Sequence, residues 1–126
     1  MKQSKPISKE RGQVWLVLLQ GALGREINTK GRPCIIVSND TFNKGESRLV
    51  VIVPITGTDW ENSLHVRIEP PEGGLKKISF AACDQVRTLD ATLRFGEFLG
   101  AATEETMDRI ADRLAILLDI STISAG

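Results

Sequence analysis

The chain predicts a mainly β domain with a C-terminal helix: a small twisted antiparallel sheet closing toward a barrel, capped by an α-helix. Three observations predict it. Short runs rich in branched and aromatic residues recur along the sequence, clusters of Gly, Pro, Asn and Asp separate them, and a single helical stripe follows at the end.

Residues 1–10 are polar, contain Pro6 and show no periodicity, so they read as a flexible tail ahead of one domain spanning 11–122. Gln13 to Gln20 (QVWLVLLQ) reads as the first strand. Gly21 to Gly31 carries three glycines and little apolar character, and reads as a long connection. Pro33 to Ser38 (PCIIVS) is a second strand, and the turn-rich link Asn39 to Ser47 follows it. Arg48 to Ile55 (RLVVIVPI) is nearly continuously apolar, which predicts a strand buried on both faces. Pro54 lacks a ladder donor, so it is expected at a sheet edge or strand end.

Beyond a polar connection at Thr56 to Asn62, Leu64 to Ile68 alternates as a half-buried strand. On that alternation His65 falls on the polar phase and is expected to face solvent. Pro70 to Gly74 is a turn, and Lys77 to Val86 contains another strand. Thr88 to Leu93 is ambiguous, and Phe95 to Leu99 makes one last short strand. The helix has Thr103 as its N-cap and Glu104 and Glu105 at the positive end of its dipole. Met107, Ile110, Ala111, Leu114, Leu117 and Leu118 recur at three- and four-residue steps, a stripe that packs on the sheet or on a partner.

Composition narrows the function. A chain of 126 residues holds one core, not two. No apolar run approaches the roughly 20 residues of a membrane helix, and the polar, basic N-terminus lacks a secretory core, so the expected location is the cytoplasm. Two cysteines, Cys34 and Cys83, lie in apolar runs and read as small core residues. With one histidine they cannot build a Cys/His zinc site, and no metal or cofactor is expected. The net charge is zero, yet residues 1–32 hold seven Lys/Arg against two acids, while residues 59–126 hold seven against twelve. A local basic face can therefore still meet phosphates.

Phosphate loops, dinucleotide loops and serine-nucleophile elbows are absent from the sequence, and a single histidine excludes a two-histidine acid–base ribonuclease. What remains is three clusters: Gly24-Arg25-Glu26 with Gly31-Arg32-Pro33, then Pro54-Ile55-Thr56, then Cys83-Asp84-Gln85-Val86-Arg87. Taken singly, each has a plain reading. Glu26 and Arg32 make a surface pair, Thr56 ends a strand, and Asp84 and Gln85 bond backbone at a turn.

Together, in order and spacing, these segments resemble the MazF/PemK toxins. Arg11-Gly12-Gln13-Val14-Trp15, Gly24-x-Glu26, Gly31-Arg32-Pro33, Ser38-Asn39-Asp40, Pro54-Ile55-Thr56 and Asp84-Gln85-Val86-Arg87-Thr88-Leu89 carry the resemblance, from about Arg11 to Ile120. It implies a small SH3-like barrel related in shape to the gyrase poison CcdB, and a homodimeric toxin paired with a MazE-like antitoxin. It also implies sequence-specific cleavage of single-stranded RNA, such as mRNA, without metal, leaving 2′,3′-cyclic phosphate and 5′-hydroxyl ends.

The resemblance places Arg32 and Thr56 at the family's catalytic positions. An arginine fork matches phosphate oxygens and a threonine hydroxyl can donate to them. Arginine gives up a proton only above a pKa of roughly 12, so Glu26 is the more ordinary base, or the residue that orients Arg32. Asp84, Gln85, Arg87 and Lys30 are assigned to substrate binding or site support, and Trp60 to base stacking, with Trp15 in the core. PemK-type members carry an arginine two residues before the aspartate; this chain has Ala82. The loop Gly21 to Lys30 is expected to be mobile when free and to reorder on RNA or antitoxin. The alternative reading is a non-enzymatic CcdB-like toxin that binds a protein such as gyrase.

Overall fold

The computed structural model describes residues 8–19 and 31–121. Among the described residues, seven strands, two helices and two 3-10 turns follow in the order β1 (Gln13–Val17), β2 (Arg32–Ile36), α1 (Asp40–Asn43), β3 (Leu49–Thr56), β4 (His65–Ile68), β5 (Ser79–Ala82), β6 (Arg87–Asp90), β7 (Phe95–Ala101) and α2 (Glu104–Leu118), with the turns at Glu72–Gly74 and Cys83–Gln85. The strand pairings are antiparallel, in the order β4-β5-β3-β2-β1-β7.

β3 organises the sheet. One of its edges pairs with β2. The other is shared: Leu49 to Ile52 pair with β6, and Ile55 and Thr56 pair with β5. Being central, β3 buries side chains on both faces, which its apolar sequence requires. Pro54 therefore sits not at a sheet edge but in a central strand, two residues before its end, close to the other expected place. Its place is the gap between Ile52, the last residue paired to β6, and Ile55, the first paired to β5, where one side of the ladder is already interrupted.

The sheet curls toward a barrel without closing by a ladder, since β4 and β7 are its two ends. Packing of the Glu72–Gly74 turn against β7 bridges the gap. A Cβ on Gly74 would lie 2.0 Å from the Leu99 carbonyl oxygen, so only glycine allows this approach.

Contrary to the single core expected from the chain's length, two cores flank the sheet, because its central strands bury apolar side chains on both faces. Val14, Ile35, Val53, Ile55, Val66, Ile68 and Ala81 pack with Met107 and Ile110 of α2. Trp15, Val17, Cys34, Ile36, Val50, Ile52 and Leu89 form the other, where the Trp15 ring meets Phe95 and Phe98 edge-on at 5.7 and 5.3 Å. Trp15 is thus core, and both cysteines are buried and free. Of the expected tail, residues 1–7 lie outside the described residues; Lys9 rests its ammonium over the Trp15 ring at 4.5 Å.

α2 begins where its sequence predicts. The Thr103 hydroxyl accepts from the Thr106 backbone N–H at 3.2 Å, satisfying one orphan donor. Asp119 ends the helix in the left-handed conformation, and the Ile120 N–H reaches back to the Ala115 carbonyl. Only the first half of the apolar stripe is covered. Met107 and Ile110 are buried and Leu114 is half-buried, while Leu117, Leu118, Ile116 and Ile120 are exposed.

Two local differences from the sequence reading stand out. The link after β2 contains a helical turn, α1, because the Asn39 side chain caps it by accepting from the Phe42 N–H at 2.8 Å. The ambiguous segment after residue 87 resolves as β6, held by four pairings to β3. No helix among the described residues is long and apolar enough to cross a membrane.

Candidate active site

Register builds the site. Cys34 stands opposite Pro54 and Ile36 opposite Ile52. Two residues further along, the same register brings Arg32, first in β2, alongside Thr56, last in β3. Directly opposed residues share a face of the sheet, so both side chains serve the same side. A cleft of about 260 Å³ opens there, lined by Gly31, Arg32, Pro33, Ile55, Thr56, Gly57, Lys77 and Ser79.

Gly31 delivers Arg32 to this position. Its φ is +91°, and a Cβ on it would lie 3.0 Å from the Val17 carbonyl oxygen and 3.1 Å from the Val17 nitrogen. The chain thus turns tightly past the end of β1 and exposes Arg32 at the cleft. On the other wall, Thr56 is half-buried and its hydroxyl oxygen accepts from the Thr58 backbone N–H at 3.2 Å. That bond occupies an acceptor site and leaves the hydroxyl proton available to a ligand.

The third polar wall, Lys77, is a residue that the sequence reading missed. It precedes β5, and β5 pairs with the end of β3 through Thr56 opposite Phe80. Its side chain lies over Gly57, where a Cβ would stand 3.0 Å from Cε and 3.2 Å from Nζ. The Ser79 hydroxyl donates to the Lys77 carbonyl at 2.9 Å and fixes the start of β5. No motif marks this lysine; only the β3–β5 pairing brings it to Thr56.

Arg87 stands on the same face, opposite Ile52 on β6. The fields of Arg32 and Arg87 both reach the Cys34 thiol. Burial pushes that thiol up to about 12, an effect which the two arginines partly offset. Among the described residues neither Arg32, Lys77 nor Arg87 is in an ion pair. Among the described residues, the cleft and its border thus present three cations without an ion-pair partner.

The remaining expected site residues are placed differently. Asp84 and Gln85 lie in the Cys83–Gln85 turn, outside the cleft lining. Asp84 is engaged: one carboxylate oxygen bonds His65 Nε2 at 3.1 Å and the other accepts from Asn62 Nδ2 at 3.3 Å. Contrary to expectation, His65 does not face solvent; its side chain is 5% exposed. Asp84 covers it from the turn, and α2 packs against both β4 and that turn, a contact that strand alternation cannot reveal. Trp60 is 66% exposed in the loop after β3 and does not line the cleft. Glu26 and Lys30, together with the loop expected to be mobile, lie outside the described residues.

Comparison with known proteins identifies the family. Residues 10–118 match the family model described as PemK-like, MazF-like toxin of type II toxin–antitoxin system. The chain is 34% identical to the endoribonuclease PemK of Escherichia coli over 86% of this chain and 81% of that protein. It is 35% identical to the endoribonuclease MazF of Staphylococcus saprophyticus over 90% of this chain and 93% of that protein. A solved endoribonuclease from Mycobacterial species, in complex with its cognate antitoxin, superposes with a TM-score of 0.69 at 26% identity, covering 92% of this chain and 98% of that one. A toxin-family model that spans the sheet, the cleft and all of α2 leaves one assignment: the chain belongs to the PemK-like, MazF-like toxins of type II toxin–antitoxin systems.

Proposed function

We propose that this chain is an endoribonuclease that cleaves single-stranded RNA at specific short sequences, with mRNA as substrate, as the toxin of its pair. The observation that carries the reading is the meeting of Arg32 and Thr56 in one cleft at the ends of adjacent strands. The endoribonuclease relatives supply the reaction class.

The chemistry follows from what the cleft offers. The substrate's 2′-oxygen attacks the neighbouring phosphorus, the 2′,3′-cyclic phosphate forms, and the 5′-oxygen departs to become a hydroxyl. Negative charge accumulates on the phosphorane. The Arg32 fork matches its oxygens, and the Thr56 hydroxyl, already held by the Thr58 N–H, donates to them. Glu26 is the base that takes the 2′-proton or orients Arg32. The reaction needs no metal. Arg87 and Lys30 extend the cationic path along the RNA backbone, Trp60 stacks a base, and Gln85 reads a base edge. Asp84, held by His65 and Asn62, supports the turn that presents Gln85.

The protein works in the cytoplasm as a homodimer with a MazE-like antitoxin as its partner. Exposed Ile116, Leu117, Leu118 and Ile120 at the end of α2 support assembly, because they gather apolar surface on one helix end. A CcdB-like gyrase poison would have no use for a cationic cleft beside a held hydroxyl.

Induction in a bacterial host tests the reading. Wild-type protein is expected to arrest growth and fragment cellular RNA, and Arg32→Ala to do neither. Arrest that persists in the variant with intact RNA, and gyrase co-purifying, would replace this reading with the protein-binding one.

A further inference from the structure

We propose that Lys77 is the acid that protonates the leaving 5′-oxygen. The assignment rests on the ribonuclease reading and adds a catalytic residue to it. Transesterification has two proton steps besides charge stabilisation: one proton leaves the 2′-hydroxyl, and one reaches the 5′-oxygen. A departing alkoxide is a strong base, and a positioned acid typically contributes about 10²- to 10⁴-fold.

Elimination among the described side chains that line the cleft leaves one candidate. Gly31, Pro33, Ile55 and Gly57 carry no exchangeable side-chain proton. Arg32 holds its protons too firmly to pass one on, since a guanidinium is not deprotonated in proteins. The Thr56 and Ser79 hydroxyls are neutral donors, and Ser79 already gives its proton to the Lys77 carbonyl. His65, the only imidazole, is buried against Asp84 and lies outside the cleft lining. Among the described cleft residues, Lys77 alone brings an ammonium with three transferable protons.

Lys77 reaches the cleft beside the end of β3. Glycine at 57 leaves room for the chain's end: Cε and Nζ occupy the space a Cβ would crowd at 3.0 and 3.2 Å. The ammonium thus lies beside the residue that follows Thr56, across the cleft from β2. No described carboxylate pairs with it.

The step balances as follows. The 2′-oxygen–phosphorus bond forms as the phosphorus–5′-oxygen bond breaks, and the electron pair of the broken bond stays on the 5′-oxygen. A proton passes from Lys77 Nζ to that oxygen and leaves a neutral amine. The 2′-proton goes to the general base, and solvent exchange restores both groups.

Sulfur substitution separates this role from phosphate binding. First, wild-type cuts are mapped on a long single-stranded RNA. Two oligonucleotides then carry that site, one with the natural 5′-oxygen and one with a 5′-bridging sulfur, whose thiolate departs without an acid. In single-turnover reactions Lys77→Met and Lys77→Arg should each lower cleavage of the oxygen substrate by at least about 10²-fold. Both should cleave the sulfur substrate at close to the wild-type rate. Equal losses on the two substrates, full activity in Lys77→Met, or rescue by Lys77→Arg would each overturn the assignment while leaving the ribonuclease reading intact. Wild-type protein that cleaves no RNA would overturn both. Lys77 is exposed, so loss of fold is not expected; a circular dichroism spectrum matching wild type checks this.

Discussion

Arg32 and Thr56 are 24 positions apart in the sequence and line one cleft, each two residues beyond the Cys34–Pro54 pair that ends the β2–β3 ladder, one at the first residue of its strand and the other at the last. The pairing Cys34 to Pro54 sets that relationship. A one-residue slip of β2 would turn Arg32 to the opposite face. The site is therefore a property of register, and register is held by the apolar residues of both cores.

Thr56→Val tests the donated hydroxyl. Valine keeps the shape and the strand propensity but cannot donate. Single-turnover cleavage is expected to fall about 10²- to 10³-fold, the usual loss for one donor to a developing oxyanion. Thermal stability should change little. Undiminished cleavage would remove Thr56 from the chemistry.

Gly31→Ala tests how Arg32 is delivered. Alanine at a φ of +91°, with Val17 backbone atoms 3.0 to 3.1 Å from its Cβ, combines strain with a clash. A loss of about 1–3 kcal/mol in urea unfolding is expected, with activity reduced because the start of β2 shifts. A fully stable, fully active variant would show that the tight turn is dispensable.

Much of this arrangement was legible in the sequence, and the failures share a cause. The continuous apolar run of β3 and the stripe of α2 carry their own periodicity, so both elements were readable. Arg32 and Thr56 stood out through the family resemblance. His65 did not, because its burial comes from Asp84 and α2, 19 residues and farther away. β6 was ambiguous because only Leu89 of its four residues is buried. Pro54 is accommodated in a central strand, near its end, since β3 changes partners beside it. Lys77 was invisible for the same reason in reverse: a lysine before a strand is ordinary until β5 pairs with the end of β3. Long-range pairing, which local pattern does not encode, decides each case.

Cys34 and Cys83 should be slow to alkylate in the folded protein. Burial pushes Cys34 up to about 12 and Cys83 up to about 11. Both remain thiols at neutral pH, and the thiolate is the nucleophile. Unfolded chains deprotonate nearer the ordinary value of 9.0. The contribution of these thiols to stability is thus full below that value and is lost as pH rises through the folded values. Iodoacetamide labelling at pH 8, with and without urea, checks this. Rapid labelling of both cysteines in the native protein would contradict it.

Glu72 should contribute to stability in a pH-dependent way. Burial alone would raise its carboxyl, but hydrogen bonds from Thr106 and from the Thr103 backbone and hydroxyl, with the Arg109 charge, outweigh it, and the net shift is downward. A carboxyl lowered on folding stabilises above its unfolded value and loses that contribution as pH falls through its folded value. Urea midpoints of wild type and Glu72→Gln should differ at pH 7 and converge below the ordinary value of 4.5. A difference that is constant with pH would mean that the charge on Glu72 is irrelevant to the Thr103 junction.

The most direct test of the central claim compares purified wild-type and Arg32→Ala protein on a long single-stranded RNA in excess chelator, with the cut ends mapped. The account predicts discrete cuts by the wild type, carrying 2′,3′-cyclic phosphate and 5′-hydroxyl ends, and a loss of at least about 10²-fold in the variant. Intact RNA after incubation with well-folded wild-type protein, or cuts undiminished by Arg32→Ala, would contradict it.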